Sequence, residues 1–167
     1  MRILIGNIIA LIASLIMVAS SYVKDKKNSL YVGSIQLMFN AIAGFVLGAY
    51  SAVVVNLIGI PRNLLAARGQ LTVVDKVVIV GMSTGCSVLF NQHGALGLLP
   101  VVSAIVYTLL LDRVRPLAYK ILTIFTLVLW AIYDGITFNF VSMAFDIASL
   151  IAATIAMARI KRDVAVT

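Results

Sequence analysis

The residue in this chain with the strongest chemical potential is Asp146, a carboxylate inside an apolar stretch that has no Lys or Arg for a dozen residues on either side. Placing such a charge within a bilayer costs about 2.5–3.5 kcal/mol even on the lenient insertion scale, so it is expected to line a cavity or meet a partner. Asn139, Ser142, Asp146 and Ser149 fall three, four and seven residues apart, which puts them on one helical stripe. Thr126, Trp130, Tyr133 and Asp134 make a second stripe, Gln36, Asn40 and Gly44 a third, and Asn56 and Asn63 a fourth. Such faces are poorly placed against lipid and are expected to point inward, with Asn40, Asn56, Trp130, Tyr133 and Asp146 as candidate solute-binding residues.

Each of these residues also has a plainer role. Asp146 can be a proton site near the membrane midplane, or half of a structural ion pair with Arg62. Trp130 and Tyr133 can belong to an aromatic belt at the membrane surface. Asp134 reads as a solvated helix end, and Ser14, Ser83 and Ser87 as helix contacts. Pro61 and Pro100 remove backbone hydrogen bonds and are candidate hinges. No catalytic residue is expected, because no nucleophile has a recognisable base and no glycine-rich phosphate loop is present. With one His, one Cys and no Glu, neither a metal site nor any other cofactor is expected, and the chain does not read as an enzyme.

The elements that must position these residues are membrane spans. Hydrophobic residues make up 62% of the chain, charged residues 11%, and mean hydropathy is +1.11. A spanning helix needs roughly 20 mostly apolar residues. On that measure there are seven spans, at 3–23, 30–48, 50–66, 74–91, 95–111, 117–135 and 138–158. Eleven of the 13 basic residues cluster at alternate ends of them: Lys24, Lys26 and Lys27; Arg68 and Lys76; Arg113, Arg115 and Lys120; Arg159, Lys161 and Arg162. Cytoplasmic loops collect Lys and Arg, so the N-terminus is expected outside and the C-terminus in the cytoplasm. The net charge of +7 then reflects orientation and attraction to anionic lipid, and nucleic acid is excluded as a partner.

A shift of 90 residues lays Leu37, Ala41 and Ile42 on Leu127, Ala131 and Ile132, and Asn56 on Asp146. It also superimposes the basic loop after the first span on that after the fifth. The expected fold is therefore all-α, with two parallel three-helix repeats joined by a linker helix in a 3+1+3 arrangement. The first repeat is 1–68, the linker 69–93, the second repeat 94–163 and a cytoplasmic tail 164–167.

The stretches Gly48-Ala49-Tyr50 followed by Arg62, Leu98-Leu99-Pro100-Val101-Val102, and Trp130 through Arg159 resemble the YgjV-type family of small bacterial inner-membrane proteins. More distantly, the layout is similar to the SWEET and PQ-loop transporters. That likeness implies a central pocket flanked by an aromatic residue and an amide, here Trp130 with Asp146 and Asn40 with Asn56. It also implies that the third span lies between the first and second, and the seventh between the fifth and sixth. No proline-glutamine dipeptide occurs, and Asp146 is an acid where the sugar transporters place an amide. The expected function is a facilitator or proton-coupled carrier of a small polar solute, complete in one chain without an obligatory homo-oligomer. The alternatives are a non-transporting receptor and an accessory or structural subunit of a membrane complex.

Overall fold

The computed structural model describes residues 1–21, 26–110 and 116–166. Among them are seven α-helices: α1 (Arg2–Ser21), α2 (Lys26–Leu47), α3 (Tyr50–Ala67), α4 (Val73–Leu89), α5 (Leu99–Leu110), α6 (Pro116–Ile136) and α7 (Phe140–Val166). A 3-10 segment, Gly94–Leu98, leads into α5. Leu30–Leu47 and Tyr50–Ala67 are each 18 residues, with mean hydropathy 1.7 and 1.3, and are long and apolar enough to cross a bilayer. The apolar parts of the other helices are shorter among the described residues. Because α7 continues to Val166, residues 164–166 extend a helix and do not form the separate tail expected. Of the expected basic loops, Lys24, Arg113 and Arg115 lie outside the described residues, and Arg68 is exposed. Lys76 departs from the surface role expected of it: it sits in the first turn of α4 and is buried and partnered.

Residue types are arranged inside out relative to a water-soluble bundle. Most buried positions are small or polar, among them Ala10, Ala13, Ser14, Ala43, Ala52, Ser83 and Ser87. Leu4, Leu15, Phe45, Leu57, Val77 and Ile151 are each more than half exposed. Small side chains let helix backbones approach where lipid gives no hydrophobic drive to associate, and the apolar exterior suits hydrocarbon. Gly6 shows the closeness required: a Cβ there would come within 2.6 Å of Leu47 on α2.

Packing follows chain order. Helix α2 packs against both α1 and α3, α6 packs against both α5 and α7, and α1 with α3 and α5 with α7 are not principal pairs. This corrects the expected order, in which the third helix of each half sat between the other two; short turns keep consecutive helices adjacent. The halves meet along two seams, α3 with α5 and α7 with α1, which closes six helices into a ring. Helix α4 lies outside it, packing mainly on α3 and α5 through Lys76, Ile79, Ser83 and Ser87. It starts at a capping box in which Thr72 and Asp75 exchange side-chain and backbone hydrogen bonds.

The turns between α2 and α3 and between α6 and α7 are built alike. In the first, Ala49 N–H donates to Gly44 O at 2.8 Å and Gly48 N–H to Phe45 O at 3.3 Å. In the second, Asn139 N–H donates to Asp134 O at 2.9 Å and Phe138 N–H to Gly135 O at 3.5 Å. Every donor and acceptor is displaced by 90 residues. Both turns need a left-handed residue, Gly48 at φ 84° and Phe138 at φ 59°. A side chain in that region costs roughly 1–2 kcal/mol that glycine avoids. Phe138→Gly is therefore expected to raise stability by about 1 kcal/mol, less what is lost with the edge contact of Phe138 to Phe140. Thermal unfolding in detergent checks the sign.

Candidate functional site

The N-terminus, the two tight turns and the connection from α4 to α5 meet at one end of the ring. There they enclose a hollow of about 300 Å³, lined by Arg2, Gly48, Tyr50, Gln92, His93 and Phe138 together with Leu47, Ile136 and Thr137. Gly48 with Phe138, Leu47 with Thr137, and Arg2 with Gln92 are pairs separated by 90 residues, so the hollow sits where the two halves face each other. Arg2 Nε donates to Val46 O across its rim.

His93 of this lining leads to a group of aromatic side chains. Tyr133 is fully buried, and its hydroxyl shares a 3.0 Å hydrogen bond with Ser51 Oγ on α3. His93 and Trp130 meet its ring edge-on at 6.3 and 6.2 Å. Trp130, partly buried, packs against both apolar clusters of the core: Ala49, Ala52 and Tyr133, and Val55, Val101 and Ala104. Tyr133 is thus an interior tie between α3 and α6 and not a surface belt residue. Asn56 is buried on the same face of α3 as Ala52 and Val55, while Asn40 on α2 is only partly buried.

Two polar groups flank this centre. On the α3–α5 seam, the buried Arg62 donates from Nε and Nη2 to Asn63 Oδ1 at 3.2 and 3.1 Å, and from Nη1 to Thr108 Oγ1 at 3.4 Å. Its guanidinium lies 4.8 Å from the centre of the Tyr107 ring. These neutral partners replace the ion pair with Asp146 raised above, because Arg62 turns toward α5 while Asp146 projects from α7. Pro61 is exposed within α3. Pro100 is buried at the junction of the 3-10 segment with α5, in a first turn where its missing N–H disturbs nothing. That position is a helix start and not the mid-helix hinge expected.

The second group joins α6 to α7. Asp134 is buried, contrary to the solvated helix end expected, and accepts from Asn139 Nδ2 at 3.2 Å. Asn139 and Ser142 are each more than nine-tenths buried, and Asn139 Oδ1 and Ser142 Oγ have no hydrogen-bond partner. Asp146 lies six residues into α7, about 9 Å from its start at the 1.5 Å rise of a helix. It therefore belongs to the hollow-side third of the bundle and not to the midplane. From α1, Asn7 Nδ2 donates to Phe138 O at 2.9 Å and Asn7 Oδ1 accepts from Val141 N–H at 3.0 Å, which fixes the turn that carries this group. The sequence stripes brought out Asn139, Ser142 and Asp146, and Asp134 on a second stripe; the partners of Asp134 and Asn7 were not legible because they lie beyond their own helices. Among the described residues no three of His, Cys, Asp and Glu gather into a group that could hold a metal ion.

Residues 4–164 match the Imp-YgjV family, whose description is bacterial inner membrane protein. No curated protein and no solved structure matches the chain.

Proposed function

Since the chain belongs to the Imp-YgjV family of bacterial inner membrane proteins, we propose that it is a multi-pass carrier, not an enzyme, that moves a small polar solute between its two three-helix halves. The observation that carries this reading is the hollow lined by residue pairs 90 positions apart. A twofold-related opening at the junction of parallel repeats is where a transport pathway of this architecture begins. The matching turns and the α3–α5 and α7–α1 seams support the same repeat, with α4 as its linker. None of the candidate solute-binding residues lines the hollow itself; Tyr133 reaches it through its edge contact with His93, and Trp130 packs on Tyr133 in turn.

Basic residues support an orientation. Among the described residues Arg2 is the basic side chain lining the hollow, and in the sequence the basic clusters fall at alternate ends of the apolar runs, which favours the hollow outside and the C-terminus in the cytoplasm. Both points are tested with Gln92→Cys in a Cys86→Ala background, where the introduced thiol is the single cysteine of the chain. A bulky membrane-impermeant thiol reagent is expected to label Gln92→Cys in intact cells. In oriented proteoliposomes, the same label is expected to block uptake of whichever member of a panel of small polar solutes the unlabelled protein carries. Labelling only after permeabilisation reverses the orientation. A protein that carries no solute in the panel, and that none stabilises against heat, is an accessory subunit instead.

A further inference from the structure

We propose that Asp134, Asn139, Ser142 and Asp146 form a binding site for a hard, oxygen-seeking cation, sodium or calcium, at the hollow-side junction of α6 and α7. Among the described residues, the two buried side-chain atoms without a hydrogen-bond partner, Asn139 Oδ1 and Ser142 Oγ, both belong to this one stripe. Buried polar atoms are nearly always satisfied, so a pair of unsatisfied oxygens, one on a side chain bonded to Asp134 and one a helical turn before Asp146 on α7, points to a ligand. The Asn139 amide is oriented by its own bond: Nδ2 donates to Asp134, which leaves Oδ1, an obligate acceptor, for something else. The two described arginines nearest in the fold are engaged elsewhere. Arg62 is held by Asn63 and Thr108 on the opposite seam, and Arg2 by Val46 O at the rim.

The chemistry of the set selects the ligand. Its donors are two carboxylates, an amide oxygen and a hydroxyl, all hard oxygens, with no sulfur or imidazole. Calcium-type cations take six to eight such oxygens, whereas soft ligands select transition metals. A proton shared by the carboxylates would satisfy one acceptor and leave the others bare.

The first half of the chain supplies an internal control. The positions 90 residues earlier are Gly44, Ala49, Ala52 and Asn56, and they build the same turn with the same backbone hydrogen bonds. The turn needs none of the polar groups that the second half buries in it. Their burial has a cost that the fold does not require, and a bound cation offsets it.

This deepens the carrier reading by naming the coupling ion, yet binding is measured without transport. Full-length protein in detergent is heated in NaCl or CaCl2 titrations, against choline chloride at matched ionic strength. The expected result is a saturable rise in Tm with one of the two salts, which also tells sodium from calcium. Ser142→Ala, which copies Ala52, is expected to keep the Tm in choline chloride and weaken the apparent cation affinity by about tenfold or more. Asp134→Asn with Asp146→Asn is expected to remove the response. The proposal is overturned if neither salt raises Tm beyond choline chloride, or if Ser142→Ala responds as the unaltered protein does; should the double variant not fold, Ser142→Ala decides. A saturable response without solute uptake keeps the site and rejects the carrier, and cation-independent uptake with no thermal response does the reverse.

Discussion

Tyr133→Ala is expected to lower stability by about 3–5 kcal/mol, the range found when a buried aromatic is cut back to alanine and the cavity cannot collapse. Tyr133 is the largest fully buried side chain of the described residues, and Trp130, His93, Ala49 and Ala52 surround it. Lipid removes the hydrophobic incentive to bury it, but not the packing lost when it goes, since a void deprives its lining of contacts on one side. Tyr133→Phe is expected to cost only about 1 kcal/mol, the value of the bond to Ser51. Thermal or denaturant unfolding of the two variants in the same detergent separates packing from hydrogen bonding. Equal losses would show that the hydroxyl, and not the ring, ties α6 to α3.

The second large effect is on transport. Asp146→Asn is expected to leave the protein folded and inserted while reducing ion-driven accumulation of solute by about tenfold or more, because the amide keeps the shape and loses the charge that a coupling cation requires. The alternative of a structural pair with Arg62 makes a different prediction, and the geometry speaks against it: Arg62 bonds Asn63 and Thr108 and stacks over Tyr107. Arg62→Met is expected to cost about 1–3 kcal/mol by stranding the Asn63 and Thr108 oxygens. Combined with Asp146→Asn, the two losses are expected to add within about 0.5 kcal/mol, as for sites with no shared partner. A strong thermal coupling in that cycle, with uptake unaltered, would return Asp146 to a structural role.

Much of this was legible in the chain. Apolar runs of about the right length gave the helices to within a few residues, except that α7 continues eight residues past the expected end at 158, and the left-handed turn at Gly48 is the one glycine can take without strain. The 90-residue displacement was visible in a handful of identities, and the backbone hydrogen bonds of the two turns repeat it. The stripe of Asn139, Ser142 and Asp146 follows from helical periodicity alone.

What periodicity could not supply is depth and partner. A helical face tells that Asp146 points inward, but its distance from the end depends on where α7 starts, and the left-handed Phe138 delays that start to Phe140. Whether Arg62 meets an acid or a tyrosine depends on which helix lies across the seam, a matter of packing order that equal apolar runs leave undetermined. The sequence by itself determined a membrane protein of apolar helices, with basic residues gathered at alternate ends of the apolar runs, because hydropathy and charge act locally and along the chain. Only the tertiary structure decided that α3 meets α5 and α7 meets α1, that Tyr133 closes on Ser51, and that Asp134 accepts from Asn139. Those pairings are set by short-range contacts between distant segments, and nothing in local sequence encodes a distance across the bundle.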